Sequence, residues 1–173
     1  MEIALLLIRV VVGATLAAHG AQKLFGWFGG HGIAGTAGFV ESLGFRPGRP
    51  YAWLLGGAEL IGGLALVLGL LTPLAATAVA AVMVGAIAAV HKDKGFFSQA
   101  GGYEYPLVVA VVALALAFAG PGSYSLDHAF GWSLDGGEWG LGAVLGAFAL
   151  GAAAAQSRSV RLPHWRGGRR AAA

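Results

Sequence analysis

The 173-residue chain is 57% hydrophobic and only 11% charged, where soluble domains carry about 25% charged residues, and its mean hydropathy is +0.73. So few charges cannot cover a soluble fold of this size, which excludes a water-soluble enzyme, a nucleic-acid module and a disordered chain and selects a membrane protein. The absence of cysteine excludes disulfides, Cys-ligated zinc, iron–sulfur clusters and CxxC redox chemistry, so any electrons must travel on a bound molecule or a partner.

A bilayer-spanning helix needs roughly 20 mostly apolar residues. Residues 3–28 form the first such run. The chain starts Met-Glu-Ile with no basic stretch, and no small-residue cleavage site follows, so this run is expected to stay as a span rather than act as a signal peptide. Between 29 and 50, Thr36 to Leu43 reads as a short interfacial helix with Phe39, Val40 and Leu43 on one face. Residues 51–71 are the second run. Thr72-Pro73 ends it and starts the third, 74–90, because proline suits a first helical turn. The fourth run, 103–119, is short, carries Pro106 in its opening turn and stops at Gly120-Pro121-Gly122. The fifth, 139–155, is largely Gly, Ala and Leu. Its Gly142 and Gly146 make a GxxxG pair, continued by Ala143, Ala147 and Gly151, which suits close helix packing within the chain or a homo-oligomer.

The charge pattern orders these runs. The net +3 is misleading: the first 157 residues hold six basic and eight acidic side chains, and Arg158, Arg161, Arg166, Arg169 and Arg170 crowd the tail. With five spans, loops 29–50 and 91–102 and the tail share one side and hold Arg46, Arg49, Lys92, Lys94 and the tail arginines. The other loops, 72–73 and 120–138, hold neither lysine nor arginine. The positive-inside rule then places the N-terminus outside and the tail in the cytoplasm, where it suits anionic lipid. The expected organisation is an all-α membrane bundle: a four-helix core over 1–128, an outer loop and fifth span over 129–157, and a basic tail over 158–173. Trp27, Phe28, Trp53, Phe96 and Phe97 fall at one membrane face and Trp132 and Trp139 at the other, as aromatic belts.

Ionisable residues within spans are costly and normally face the bundle interior. Arg9, His19 and Lys23 lie within about 80° on a helical wheel, so they share a face of the first run. Glu59 of the second run and His19 each sit about 12–14 Å from the inner ends of their spans, so they can meet, and Arg9 is long enough to reach Glu59. Two readings stay open. Arg9, His19 and Glu59 form a polar clasp between two helices, or His19 and Glu59 exchange protons with a bound quinone ring. His91, Glu104 and Tyr105 surround the inner mouth, as interface anchors or as a polar entrance. Haem needs two histidines at one level, and His19 and His91 differ in level. No metal centre is expected. A transporter lacks support, since there is neither a paired repeat nor a matched pair of broken helices.

Three segments together resemble a known family. They are Leu6-Leu7-Ile8-Arg9 leading to His19-Gly20-Ala21-Gln22-Lys23-Leu24-Phe25-Gly26-Trp27; Gly35-Thr36-Ala37-Gly38-Phe39 with Glu41-Ser42-Leu43-Gly44; and Ala58-Glu59-Leu60-Ile61-Gly62-Gly63, followed by Gly101-Gly102-Tyr103-Glu104-Tyr105-Pro106 and Ser123-Tyr124-Ser125-Leu126-Asp127. Over about residues 3–128 the chain resembles the DoxX family of small bacterial membrane proteins. The resemblance implies a four-span core, quinone-linked membrane subunits as relatives, and partners among soluble redox enzymes of oxidative or thiol stress. It also implies Arg9, His19, Lys23 and Glu59 as the positions that matter. The function expected is a redox-associated subunit in the bacterial plasma membrane that docks a soluble oxidoreductase, with a non-catalytic scaffold as the alternative.

Overall fold

A computed structural model describes residues 1–158. Seven α-helices follow one another: α1 Glu2–Phe25, α2 Gly32–Ser42, α3 Gly48–Leu68, α4 Thr72–Ala86, α5 Glu104–Ala119, α6 Leu126–Ala129 and α7 Gly137–Gln156. Among the described residues there is no strand. α4 runs on through a π-helical turn, Ile87–His91, and a 3₁₀ turn, Lys92–Lys94. Four stretches are long and apolar enough to cross a membrane: Glu2–Phe25, Gly48–Leu68, Thr72–Lys94 and Gly137–Gln156. The C-terminal run therefore qualifies by length, and the short one is α5, whose 16 residues span about 24 Å against a hydrocarbon core of about 30 Å.

The long helices alternate in direction, so the chain has two ends. Lys23, Arg46, Arg49, Lys92, Lys94 and Arg158 gather at one, which we call the basic end; the turn 69–71 and the segment 120–136 make the other. The remaining tail arginines lie outside the described residues.

Glycine sets the tightest contact. α1 and α3 approach so closely that a Cβ on Gly63 would sit 2.5 Å from the backbone oxygen of Gly13 and the backbone nitrogen of Ala17. A Cβ on Gly20 would collide with the backbone of Gly56 and Leu60. Small residues allow this approach where lipid removes the usual hydrophobic drive between helices. A second layer is α4 packed between α5 and α7. Its core is Val79, Ala80 and Met83 against Ala110, Ala113 and Leu116, with Ala143 and Ala147 of α7; Leu16 and Leu66 join from the first layer. The last helix is thus part of the same core as the rest.

The small-residue stripe of α7 is divided. Ala143, Ala147 and Gly151 face inward. Gly146 meets Thr77 of α4, so it is used within the chain, whereas a Cβ on Gly142 would meet nothing. The short helix α2 is longer than the sequence suggests and turns differently. Val40 is buried but Phe39 is half exposed, because α2 is held by a Thr36 hydroxyl that donates to the Lys23 carbonyl (2.9 Å). This hydrogen bond rotates the Thr36–Val40 edge inward.

Candidate functional site

The four in-span polar residues separate into two levels. Arg9 is 1% exposed and its guanidinium faces the non-basic end. It donates to the Pro121 carbonyl, to the Tyr124 carbonyl (2.5 Å) and, at 3.5 Å, to the Val67 carbonyl. Its Nε, also buried, has no partner among the described residues. The expected reach from Arg9 to Glu59 is therefore not made. A helical wheel gives azimuth and not height: Arg9 is 14 residues from Lys23, about 21 Å along the axis, and carbonyls of the 120–124 turn are nearer.

Beside Arg9 is Asp127, fully buried and given no role by the sequence reading. Its carboxylate accepts from the backbone N–H of Leu71 (2.6 Å), the N–H of Thr72 (2.9 Å) and the Thr72 hydroxyl (2.8 Å). It thus caps the first turn of α4, whose unpaired N–H groups and dipole favour a negative charge. It also holds Leu71 at φ +47°, a left-handed conformation that a non-glycine residue rarely adopts. At the same end Glu2 accepts from the N–H and the hydroxyl of Ser123. A Cβ on Gly69 would strike the Arg9 guanidinium, so glycine there makes room for the arginine as well as ending α3. The signal available in the sequence was the pair Thr72-Pro73, a helix start that wants an acid. The acid comes from 55 residues on.

The second level lies in the half of the bundle toward the basic end. Lys23 Nζ is 2.6 Å from Glu59 Oε2, and Glu59 is 4% exposed. At that distance the contact is a charge-assisted one. Lys23 Cβ is level with Gly56, and the ammonium reaches one turn deeper along α3 to Glu59. His19 and Tyr105 both lie within electrostatic range of Glu59. Their rings meet edge to face at 6.2 Å. His19, Lys23, Glu59 and Tyr105 therefore form one cluster across α1, α3 and α5. The expected His19–Glu59 neighbourhood is present, with Lys23 as the direct ion-pair partner.

The other two mouth residues are engaged elsewhere. His91 Nδ1 is 2.6 Å from the Gly101 carbonyl, so the ring carries its proton on that nitrogen. Glu104 accepts from the Ser98 N–H at 2.9 Å. Both fasten the turn between α4 and α5.

Next to the cluster is a cleft of about 280 Å³ lined by Thr15, Ala18, His19, Gln22 and Phe28. Thr15, Ala18, His19 and Gln22 lie one helical turn apart on one edge of α1. Phe28 folds back over them from the 3₁₀ turn Trp27–Gly29 at φ +53°, and Gln22 Nε2 donates to its carbonyl at 3.4 Å. The Thr15 hydroxyl donates to the Val11 carbonyl at 2.8 Å, which leaves its oxygen as an acceptor. The cleft offers an imidazole, a carboxamide and a hydroxyl beside an aromatic ring. Among the described residues no group of three or more His, Cys, Asp or Glu side chains is placed to hold a metal ion.

A helical bundle with four membrane-length apolar helices among the described residues, two of them joined by an ion pair on a buried glutamate, is a multi-pass integral membrane protein. The chain belongs to the DoxX family: the family profile matches residues 4–92. It is 30% identical over 126 residues to a protein of Bacillus subtilis (strain 168) named "Putative oxidoreductase CatD", an alignment covering 73% of this chain and 86% of the relative. It is 29% identical over 130 residues to an uncharacterized protein of Haemophilus influenzae, covering 71% of this chain and 87% of that one. No solved structure matches the chain.

Proposed function

We propose that this DoxX protein is a redox-associated subunit of the bacterial plasma membrane. In this reading the cleft beside His19 receives the ring of a quinone, and the basic end, on the cytoplasmic side, docks a soluble oxidoreductase. The observation that carries the reading is the cleft itself: polar side chains on one edge of an apolar span, adjoining the Lys23–Glu59 ion pair. A quinone ring needs hydrogen-bond donors at its carbonyl oxygens, which the His19 imidazole and the second N–H of Gln22 supply. Its conversion to a quinol takes two electrons and two protons. The electrons come from the docked oxidoreductase. His19, an imidazole that can both take up and release a proton, delivers protons with Lys23 and Glu59 behind it. The printed name of the Bacillus relative supports redox work in general terms and says nothing of quinone.

The test is titration of purified protein with short-tail quinone analogues. His19→Ala is expected to weaken binding at least about tenfold, or about 1.4 kcal/mol. Absence of saturable binding, or equal binding by both proteins, would leave a second reading in place. That reading is a non-catalytic scaffold, favoured by the Lys23–Glu59 pair that ties α1 to α3.

A further inference from the structure

We infer that the turn joining α4 to α5 is a binding element for the headgroup of an anionic phospholipid, held between the ammonium groups of Lys92 and Lys94. The height of the turn is the first argument. The continuous stretch Thr72–Lys94 has 23 residues, about 34 Å as helix, against about 30 Å of hydrocarbon. Its last residues therefore emerge at the level of the lipid phosphates.

The second argument is rigidity. Tyr103 N–H donates to the Gly95 carbonyl (3.1 Å), Glu104 N–H to the Phe96 carbonyl (2.9 Å) and Gly102 N–H to the Phe97 carbonyl (3.0 Å). His91 and Glu104 fasten the turn from either side. A Cβ on Gly101 would meet Lys94 Cδ at 3.2 Å, so the lysine stem lies along the turn. A preformed site loses little freedom when a ligand arrives.

The third argument is chemistry. Lys92 and Lys94 are exposed, and among the described residues neither makes a salt bridge. Asp93 is the acid between them, while the Glu104 carboxylate is occupied by the Ser98 N–H. Phe96 and Phe97 are exposed and stack edge to face at 5.3 Å. Two ammonium groups and two exposed rings within one short turn match a phosphate and the acyl chains beneath it. A soluble acidic protein would use the lysines but leave the rings without an apolar partner, so the lipid is the better fit.

The experiment is native mass spectrometry of the full chain, released from mild detergent with added phosphatidylglycerol or phosphatidylcholine. Phosphatidylglycerol is expected to stay bound in preference, and to dissociate as salt rises. K92Q/K94Q should weaken its binding by about thirtyfold and D93N should strengthen it about fivefold, at about a fivefold change per charge near the surface. D93N keeps both lysines, so it decides the matter if the double variant fails to insert. Equal retention of the two lipids, or affinity unmoved by D93N, overturns the proposal. So does a K92Q/K94Q protein that keeps phosphatidylglycerol but loses binding to an acidic soluble protein.

Discussion

Two glycines six residues apart on α3 should respond in opposite directions to the same added methyl group. A Cβ on Gly63 would lie 2.5 Å from Gly13 O and from Ala17 N, both backbone atoms that cannot rotate away. Ordinary contact begins at 3.4 Å, so α1 and α3 would have to part by roughly 0.9 Å along that direction. Overpacking of this kind costs about 1–3 kcal/mol, against about 1 kcal/mol returned by alanine's better helix propensity. At Gly57 a Cβ meets nothing within 4 Å, so Gly57→Ala keeps the propensity gain with no collision. The propensity gain is common to both variants, so the expected separation between them is the overpacking cost, about 1–3 kcal/mol. Thermal unfolding in one mild detergent, followed by circular dichroism, should show Gly63→Ala melting several degrees below wild type and Gly57→Ala at or above it. If Gly63→Ala melts as high as Gly57→Ala, the close α1–α3 approach is wrong.

Other expectations follow from the two polar levels and the charge pattern. Glu59→Leu strands the Lys23 ammonium in an apolar setting and should lower folded yield, while Glu59→Gln keeps shape and hydrogen-bonding capacity and should express nearly as wild type; equal thermal unfolding of Glu59→Leu and wild type would refute the pairing. Asp127→Ala removes three accepted hydrogen bonds at a buried helix start and should cost at least about 2 kcal/mol, measured by the same unfolding assay; a loss below about 0.5 kcal/mol would contradict the capping role. Reporter fusions after Arg170 and within residues 122–135 should read cytoplasmic and external respectively. A cytoplasmic signal from the second would exclude the five-span topology.

Hydropathy located the long apolar helices within a few residues, because bilayer thickness and the cost of exposed backbone leave few alternatives. The acid of the buried pair, Glu59, and the His19 edge were legible as polar groups too costly to be incidental. The partner of Glu59 was less so. Lys23 shares the face of α1 that carries Arg9 and His19, but those two were the partners expected for Glu59; α3 begins at Gly48 and extends past Lys23, which brings the ammonium to Glu59 at 2.6 Å. Asp127 stands in the segment Ser123-Tyr124-Ser125-Leu126-Asp127 with no visible role, because its function exists only once α6 lies against the start of α4. Phe28 in its left-handed conformation was likewise invisible: only the close passage of the turn over Gln22 produces it.

The Arg9 contacts also bear on the order in which the protein is made. An arginine within an apolar helix costs about 2.5–3.5 kcal/mol at insertion when nothing receives it. Its receiving carbonyls at Pro121 and Tyr124 leave the ribosome more than a hundred residues later. During that interval the first helix carries a guanidinium with no protein acceptor in place except the Val67 carbonyl, and it is free to shift toward the headgroups. Docking of the 120–127 segment would end that freedom. Its carbonyls draw Arg9 to its final depth while Asp127 secures the start of α4. On this geometry α1 is among the last helices to settle, because its arginine waits for the 121–124 carbonyls.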